Sequence, residues 1–233
     1  WGSDPVLEYT GGGDAFVARI DAADGGLTLH TFLGGPDGAD LGHSIAVGGG
    51  YVYVTGDSDA SWGTSPIRDY TNSTDAFAAR LSTSLALSWN TFLGGHDADF
   101  GYAIAIDPAG KLYVVGESSS HGWGEPENAY FDRTDMFAAK LSGSGSLLWN
   151  TYVGSSINDA ACAAVAGDAG ILTLVGYSYG VQGPEPVRDY GGHMDGTVVQ
   201  FTTPSAASVD VDIDLAAGWN MVSVPVEADD MSV

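Results

Sequence analysis

Residues 91–116 read TFLGGHDADFGYAIAIDPAGKLYVVG, and a close copy of this stretch stands 60 residues earlier, at 31–56. A weaker third copy begins TYVGSS at Thr151. Other residues return at the same spacing of 60: Gly56, Gly116 and Gly176; Pro66, Pro126 and Pro186; Tyr70, Tyr130 and Tyr190; Asp75, Asp135 and Asp195. The order of residues from Trp1 to Phe16 matches that from Trp62 to Phe77, so we expect the chain to open in the middle of a repeat. A fixed period of this length indicates a protein built from stacked, similar units.

The sequence of each unit predicts four short β-strands. In the second full copy they fall at roughly 102–106, 111–117, 135–141 and 146–153. These segments are rich in β-branched, aromatic and small apolar residues and are bounded by Gly, Asp, Pro or Ser. No segment shows a sustained helical apolar period. The predicted fold class is therefore all-β, with β-propeller blades of four antiparallel strands in a repeat of about 60 residues.

The same pattern predicts the domain organisation. We expect a partial blade at 1–33, further blades at about 34–93, 94–153 and 154–203, and a linker at 204–208. One partial blade and three further blades are too few to close a propeller ring. We therefore expect a fragment of a longer chain that supplies the missing blades. Residues 209–233 predict the start of a further β module or, alternatively, a strand at 209–215 that closes the ring.

The repeated block TFLGG-x-D-x-D-x-GYAIAID-x-x-G-x-x-YVVG resembles the SBBP repeat, which is named for a seven-bladed β-propeller. The likeness is best at 91–116, good at 31–56 and weak at 151–176, where Ser155 replaces the second glycine. The C-terminal stretch GWNMVSVPV at 218–226 resembles the "GWNLVSLPV" opening of a β module found in prokaryotic surface proteins. These resemblances imply a secreted or cell-surface protein, without implying one particular function.

The charge of the chain excludes one class of partner. The 233 residues carry 30 Asp and Glu against 7 Lys and Arg, for a formal net charge of −23. Nucleic acid as a ligand is excluded because binding needs cations that displace phosphate counterions. An anionic membrane surface is disfavoured for the same reason, and no apolar run is long enough for a membrane span. The acidic excess has two interpretations, adaptation to high salt or the use of Asp as a recurring loop residue.

The acidic links between units are candidate calcium ligands, since Ca²⁺ takes several oxygen ligands at flexible geometry. The residues are Asp37 and Asp40, Asp97 and Asp99, and Asn158 and Asp159. The alternative is turn chemistry, in which Asp side chains bind local backbone amides. No EF-hand loop is present, so calcium stays a possibility and no metal-binding or cofactor-binding residue is assigned.

Other repeated residues also have two interpretations. Asp14, Asp75, Asp135 and Asp195 are expected to accept hydrogen bonds at strand entries rather than to catalyse. The aromatic residues of the inserts predict either a carbohydrate or peptide site or packing of each insert on its blade: Trp62, Trp123, Tyr70, Tyr130 and Tyr190. Asn72-Ser73-Thr74 is a glycosylation acceptor pattern.

Histidine and cysteine give weak signals. The histidines have no zinc-ligand spacing; they are His30, His43, His96, His121 and His193. The single cysteine, Cys162, is expected to be a buried, inert thiol. No catalytic residue is predicted.

The resulting expectation is a non-enzymatic, extracellular or cell-surface propeller segment that acts as a scaffold or protein-interaction platform. The alternative is a glycan-binding or calcium-dependent module that uses the aromatic and acidic loop face, with a protein or carbohydrate ligand. A propeller lyase or hydrolase is a third hypothesis.

Overall fold

The structure is a computed structural model that describes residues 2–181, 189–201 and 219–223. Its described part holds fourteen β-strands and one short 3₁₀ turn at Asp168–Gly170. The predicted all-β class is confirmed. Within these ranges no helix is long and apolar enough to cross a membrane.

The strands form one sheet of two strands and three sheets of four strands, which we name blades I to IV. Blade I contains β1 (Ala15–Ile20) and β2 (Leu27–Leu33). Blade II contains β3 (Asp40–Gly48), β4 (Tyr51–Ser58), β5 (Asp75–Ser82) and β6 (Leu87–Leu93). Blade III contains β7 (Asp99–Ile106), β8 (Leu112–Ser118), β9 (Asp135–Leu141) and β10 (Leu147–Val153). Blade IV contains β11 (Asp159–Ala166), β12 (Leu172–Ser178), β13 (Asp195–Phe201) and β14 (Trp219–Ser223).

Blades II and III are antiparallel meanders, because each strand pairs with the next one along the chain. In blade IV the first three strands repeat this order, whereas β14 pairs with β13 in parallel. Segment 209–215, predicted as a closing strand or the start of a module, lies outside the described residues. The proposed domain boundaries remain predictions.

Successive blades bury their faces against each other, which explains why the repeat needs neighbours. Between blades I and II the core contains Val17, Val54 and Phe77. Further cores lie between blades II and III, around Ile104, and between blades III and IV, around Tyr113. Phe77 and Tyr113 are fully buried, and truncation of such a side chain lowers stability by about 3–5 kcal/mol.

Each junction between blades is also closed by a backbone hydrogen bond at the start of a first strand. The amide of Asp99 donates to the carbonyl of Thr74 at 2.7 Å, and the amide of Asp159 donates to that of Thr134 at 2.8 Å. A side chain also links blades II and III, because Arg80 of β5 donates to the carbonyl of Gly143, which follows β9, at 2.8 Å. The blades are therefore held by polar contacts as well as by their cores.

Candidate functional site

The acidic links between blades are local hydrogen-bond acceptors. Oδ2 of Asp40 accepts the Gly35 amide at 3.0 Å, and Oδ2 of Asp99 accepts the Gly95 amide at 2.9 Å. Asp159 accepts the amide of Ser155 in the same way, at 2.6 Å. All three carboxylates are buried. The sequence allowed two roles for these residues, calcium ligation or hydrogen bonding to local backbone amides. This geometry is the second of the two.

Serine hydroxyls at the ends of second strands complete two of these links. Ser58 donates to Oδ1 of Asp40, and Ser118 donates to Oδ1 of Asp99. Ser120 donates to Oδ2 of Asp99 at 2.7 Å. Both oxygens of Asp99 are thus engaged within the protein.

The second acidic set stands at the entry of β1, β5, β9 and β13, the last three being third strands of their blades. Each carboxylate accepts the backbone amide of the residue four positions earlier; the pairs are Thr10 with Asp14 at 2.8 Å, Thr71 with Asp75 at 2.8 Å, Phe131 with Asp135 at 2.5 Å and Gly191 with Asp195 at 2.5 Å. This recurring bond closes the loop that precedes each of these strands.

These buried acids have unusual protonation behaviour. Burial raises the pKa of Asp75 to about 6, against the opposing effect of hydrogen bonds from Thr71. Burial also raises the pKa of Asp99 to about 6, although Ser118, Gly95 and Ser120 donate to it. For Asp135 burial raises the pKa to about 7. The blade junctions therefore hold carboxyls that retain a proton well above the ordinary range.

The acidic side chains of the links do not gather into a cluster of three or more. Among the described residues no group of three His, Cys, Asp or Glu side chains is placed to hold a metal ion. Asp37 and Asp97 are exposed, whereas Asp40 and Asp99 are buried. The acidic residues of one link thus do not share one environment.

The insert tryptophans lie in the core. Trp62 is 5 % exposed and packs edge-on against Phe77, with ring centroids 5.1 Å apart. Trp123 is 3 % exposed and packs against Phe137 at 5.4 Å. Of the two interpretations that the sequence left open, the structure therefore shows packing of the insert on its blade. Neither indole is exposed for contact with a ligand.

The insert tyrosines tie down their own loops. The Tyr70 hydroxyl donates to the carbonyls of Ser73 at 2.6 Å and Asp59 at 2.9 Å. Tyr130 and Tyr190 make the matching contacts with Arg133 and His193, three residues after each tyrosine.

The remaining candidates are dispersed. His30 is buried, whereas His96, His121 and His193 are exposed and Asn72 stands on an exposed loop. His43 differs, because its Nε2 contacts Oδ1 of Asp57.

His43 belongs to a feature that sequence reasoning missed. The register of the first strand with the second shifts between Gly42 and Ser44 in blade II. The same shift falls between Gly101 and Ala103 in blade III and between Ala161 and Ala163 in blade IV. The extra residues in these β-bulges are His43, Tyr102 and Cys162. A bulge bends its strand and redirects a side chain, and bulges are frequent beside functional sites.

The second strand supplies a partner for each bulge, at positions 60 residues apart; they are Asp57, Glu117 and Tyr177. We call the six side chains of these two sets the bulge row. Tyr102 donates to Oε1 of Glu117 at 2.9 Å, and the His43 and Tyr102 rings meet edge-on with centroids 5.5 Å apart. The row therefore runs continuously from blade II to blade III.

Blade IV continues the row. Partial desolvation of the Cys162 sulfur raises the pKa of the thiol, although the residue as a whole is exposed, and the negative charge of Glu117 raises it further. Burial and the same glutamate raise the pKa of Tyr177. Strand β11 packs against β7 and β8, which agrees with a position of Glu117 near both residues.

The expectation that Cys162 is buried is wrong, because the residue is exposed at its bulge. The Ala-rich run around it suggested an inner position, but an inserted residue turns its side chain out of the regular alternation. The available signal was chemical: one repeat position holds His, Tyr and Cys between small neighbours.

Comparison with known proteins bears on the repeat itself. The family model described as SBBP, Beta-propeller repeat, matches residues 89–122, a segment that includes all of β7 and β8. No curated protein matches the chain. Blade II repeats the strand order and bulge of the matched blade, and the first three strands of blade IV do so as well. Residues 89–122 therefore carry a repeat of the SBBP type, and the neighbouring blades share its architecture.

Proposed function

We propose that this chain supplies blades of a non-enzymatic β-propeller, located outside the cell or on its surface, that acts as a scaffold or protein-interaction platform. The observation that carries the proposal is that the polar residues recurring in every blade serve the blades themselves. Asp75 closes its own loop, and Asp99 closes the link between blades. A group that each blade requires for its own loops is poorly suited to be the reagent of one reaction.

The surface location rests on other support. The resemblance to the SBBP repeat implies a secreted or cell-surface protein, and a net charge of −23 keeps such a protein hydrated and soluble. The scaffold role agrees with blades that are joined by both apolar cores and backbone hydrogen bonds.

The competing hypotheses have less support. A glycan site on the insert face would have to work without Trp62 and Trp123, which are buried. An enzyme would need a reactive group outside the repeated set, and the thiol of Cys162 is the obvious candidate. Its pKa is raised by burial, whereas a nucleophilic cysteine needs a lowered pKa.

The test uses intact cells of the source organism and an antibody against this chain. We expect proteinase K added outside the cells to remove the antibody signal while a cytosolic enzyme stays intact. Protection of the chain until the cells are lysed would overturn the surface location. Cleavage of polysaccharides by the purified protein, whether by hydrolysis or by elimination, would overturn the non-enzymatic role.

A further inference from the structure

The bulge row differs from the rest of the repeat in a way that points to recognition. Its backbone feature recurs in blades II, III and IV, but its side chains change from blade to blade. Asp75, Asp99 and the insert tryptophans are buried, whereas His43 and Cys162 are exposed. Three adjacent blades thus present one surface of mixed chemistry.

Glu117 is the centre of this surface. Its Oε1 accepts the Tyr102 hydroxyl at 2.9 Å, and its charge acts on Cys162 and Tyr177 in the next blade. The side chain is half-buried. Within the described ranges no hydrogen bond reaches its second oxygen, Oε2, so one acceptor of this carboxylate is left for a ligand.

Aromatic rings stand around the carboxylate. Tyr102 stacks on Phe100 with centroids 6.1 Å apart and planes 9° apart, and it meets His43 edge-on. Tyr177 packs against Tyr179 at 5.9 Å. A carboxylate among aromatic rings attracts cations, because both the charge and the ring faces favour them.

The described residues do not supply that cation at Glu117. Within those ranges no Lys, Arg or His side chain pairs with its carboxylate. The net charge of −23 favours approach of a positively charged partner. Arginine suits the site better than lysine, since its planar guanidinium forms directed bonds to carboxylates and stacks on rings.

We propose that the bulge row binds an arginine side chain of a partner protein, with the guanidinium donating to Oε2 of Glu117 and lying against the ring of Tyr102. The inference rests on the proposed role as an interaction platform and names the chemistry of the partner.

The test measures binding of the acetylated, amidated peptide Gly-Arg-Gly to the full chain by NMR titration. Lysine and citrulline analogues separate the guanidinium from a bare charge and from a neutral group of the same shape. We expect the arginine peptide to bind most tightly and the citrulline peptide most weakly. On the unaltered chain, the signals of Tyr102, Glu117 and Cys162 should shift.

A matched pair of variants separates the site from the diffuse negative field. Glu117→Gln should lower the affinity for the arginine peptide about tenfold, which corresponds to the loss of one charge-assisted hydrogen bond. Glu125→Gln removes the same charge from an exposed insert position and should leave affinity unchanged. Tyr102→Phe keeps the ring and releases Oε1 of Glu117, so binding should persist or tighten.

Equal losses in the two glutamate variants would overturn the proposal, as would a citrulline peptide that binds as well as the arginine peptide. Shifts confined to residues outside the bulge row would also overturn it. These outcomes concern the purified chain, so they are distinct from the protease experiment on cells, which tests location independently.

Discussion

The carboxylates of Asp75 and Asp99 face each other across Gly94, although the two residues belong to successive blades. A Cβ atom on Gly94 would lie 2.6 Å from Oδ1 of Asp75 and 2.7 Å from Oδ2 of Asp99. Arg68 donates to the carbonyl of Gly94 at 3.2 Å, and its charge favours the ionised form of both acids. Burial nevertheless outweighs that effect and raises both pKa values to about 6.

The first prediction concerns pH. In the unfolded chain these two carboxyls titrate near their ordinary pKa of 3.8, whereas in the folded chain they keep a proton up to about pH 6. The folded state therefore binds more protons in this window, and the free energy of unfolding falls as pH rises from about 4 to 7. Each unit of raised pKa corresponds to about 1.4 kcal/mol. Urea unfolding at a series of pH values measures the slope.

The Asp99→Asn variant is the control for this prediction. An amide cannot ionise, so the variant should show a flatter decline in stability between pH 4 and 7. A decline as steep as that of the unaltered chain would show that Asp99 is not responsible for it.

The second prediction concerns the space at Gly94. Alanine at this position would place its methyl group against both carboxylates, and overpacking of this kind lowers stability by about 1–3 kcal/mol. Thermal unfolding of Gly94→Ala should therefore show a melting temperature several degrees lower. Gly13→Ala is the matched control, because a Cβ atom there meets nothing within 4 Å. Equal melting temperatures for the two variants would contradict the close approach of Asp75 and Asp99.

The third prediction follows from a difference between blades II and III. In blade II the Thr71 hydroxyl lies 3.0 and 2.9 Å from the two oxygens of Asp75 and 2.6 Å from the Gly95 carbonyl, so these acceptors share its one proton. Blade III has Phe131 at the matching position, and Oδ1 of Asp135 is buried without a hydrogen bond. Phe131 is 68 % exposed, so its replacement leaves the core intact.

We therefore expect Phe131→Thr to lower the pKa of Asp135 from about 7 and to stabilise the protein at pH 8 by about 1 kcal/mol. Carboxyl-carbon NMR measures the pKa, and urea unfolding measures the stability. Phe131→Val is the matched control, since valine has the shape of threonine without the hydroxyl. A similar effect of both substitutions would rule out the hydrogen bond as its cause.

The sequence predicted most of the fold, because the 60-residue period and the alternating strands are local patterns. Strand β9 begins at Asp135 and ends at Leu141, the same bounds that the sequence predicts. The bulge row was missed because a β-bulge is a feature of strand pairing. It inserts one residue into a strand without changing the composition of that strand. The exposure of Cys162 follows from the bulge in β11, and its nearness to Glu117 arises only when blades III and IV are packed together. Burial of Trp62 was left open for a related reason, since an insert sequence does not show which blade surface it covers.

The fourth prediction concerns salt. A chain with a net charge of −23 has uncompensated repulsion between acidic groups, because 30 Asp and Glu stand against only 7 Lys and Arg. Salt screens such repulsion over a Debye length of about 10 Å at 0.1 M. We expect the melting temperature at pH 8 to rise with sodium chloride, and the rise to shrink near pH 4, where many carboxyls are neutral. A melting temperature that does not depend on salt would exclude both screening and adaptation to high salt.

The last prediction concerns calcium, which the acidic links suggested. Asp99 already accepts bonds from Gly95, Ser118 and Ser120, so a Ca²⁺ ion would have to displace them. Calcium chloride should therefore raise the melting temperature no more than sodium chloride of equal ionic strength. Treatment with a chelator should leave the melting temperature unchanged. A specific site would instead stabilise the folded chain in proportion to RT ln(1 + [Ca²⁺]/Kd), which continues to grow after screening is complete. Such growth in the unaltered chain, and its loss in Asp99→Asn, would place a calcium ion at the link and contradict the hydrogen bonding described for Asp99.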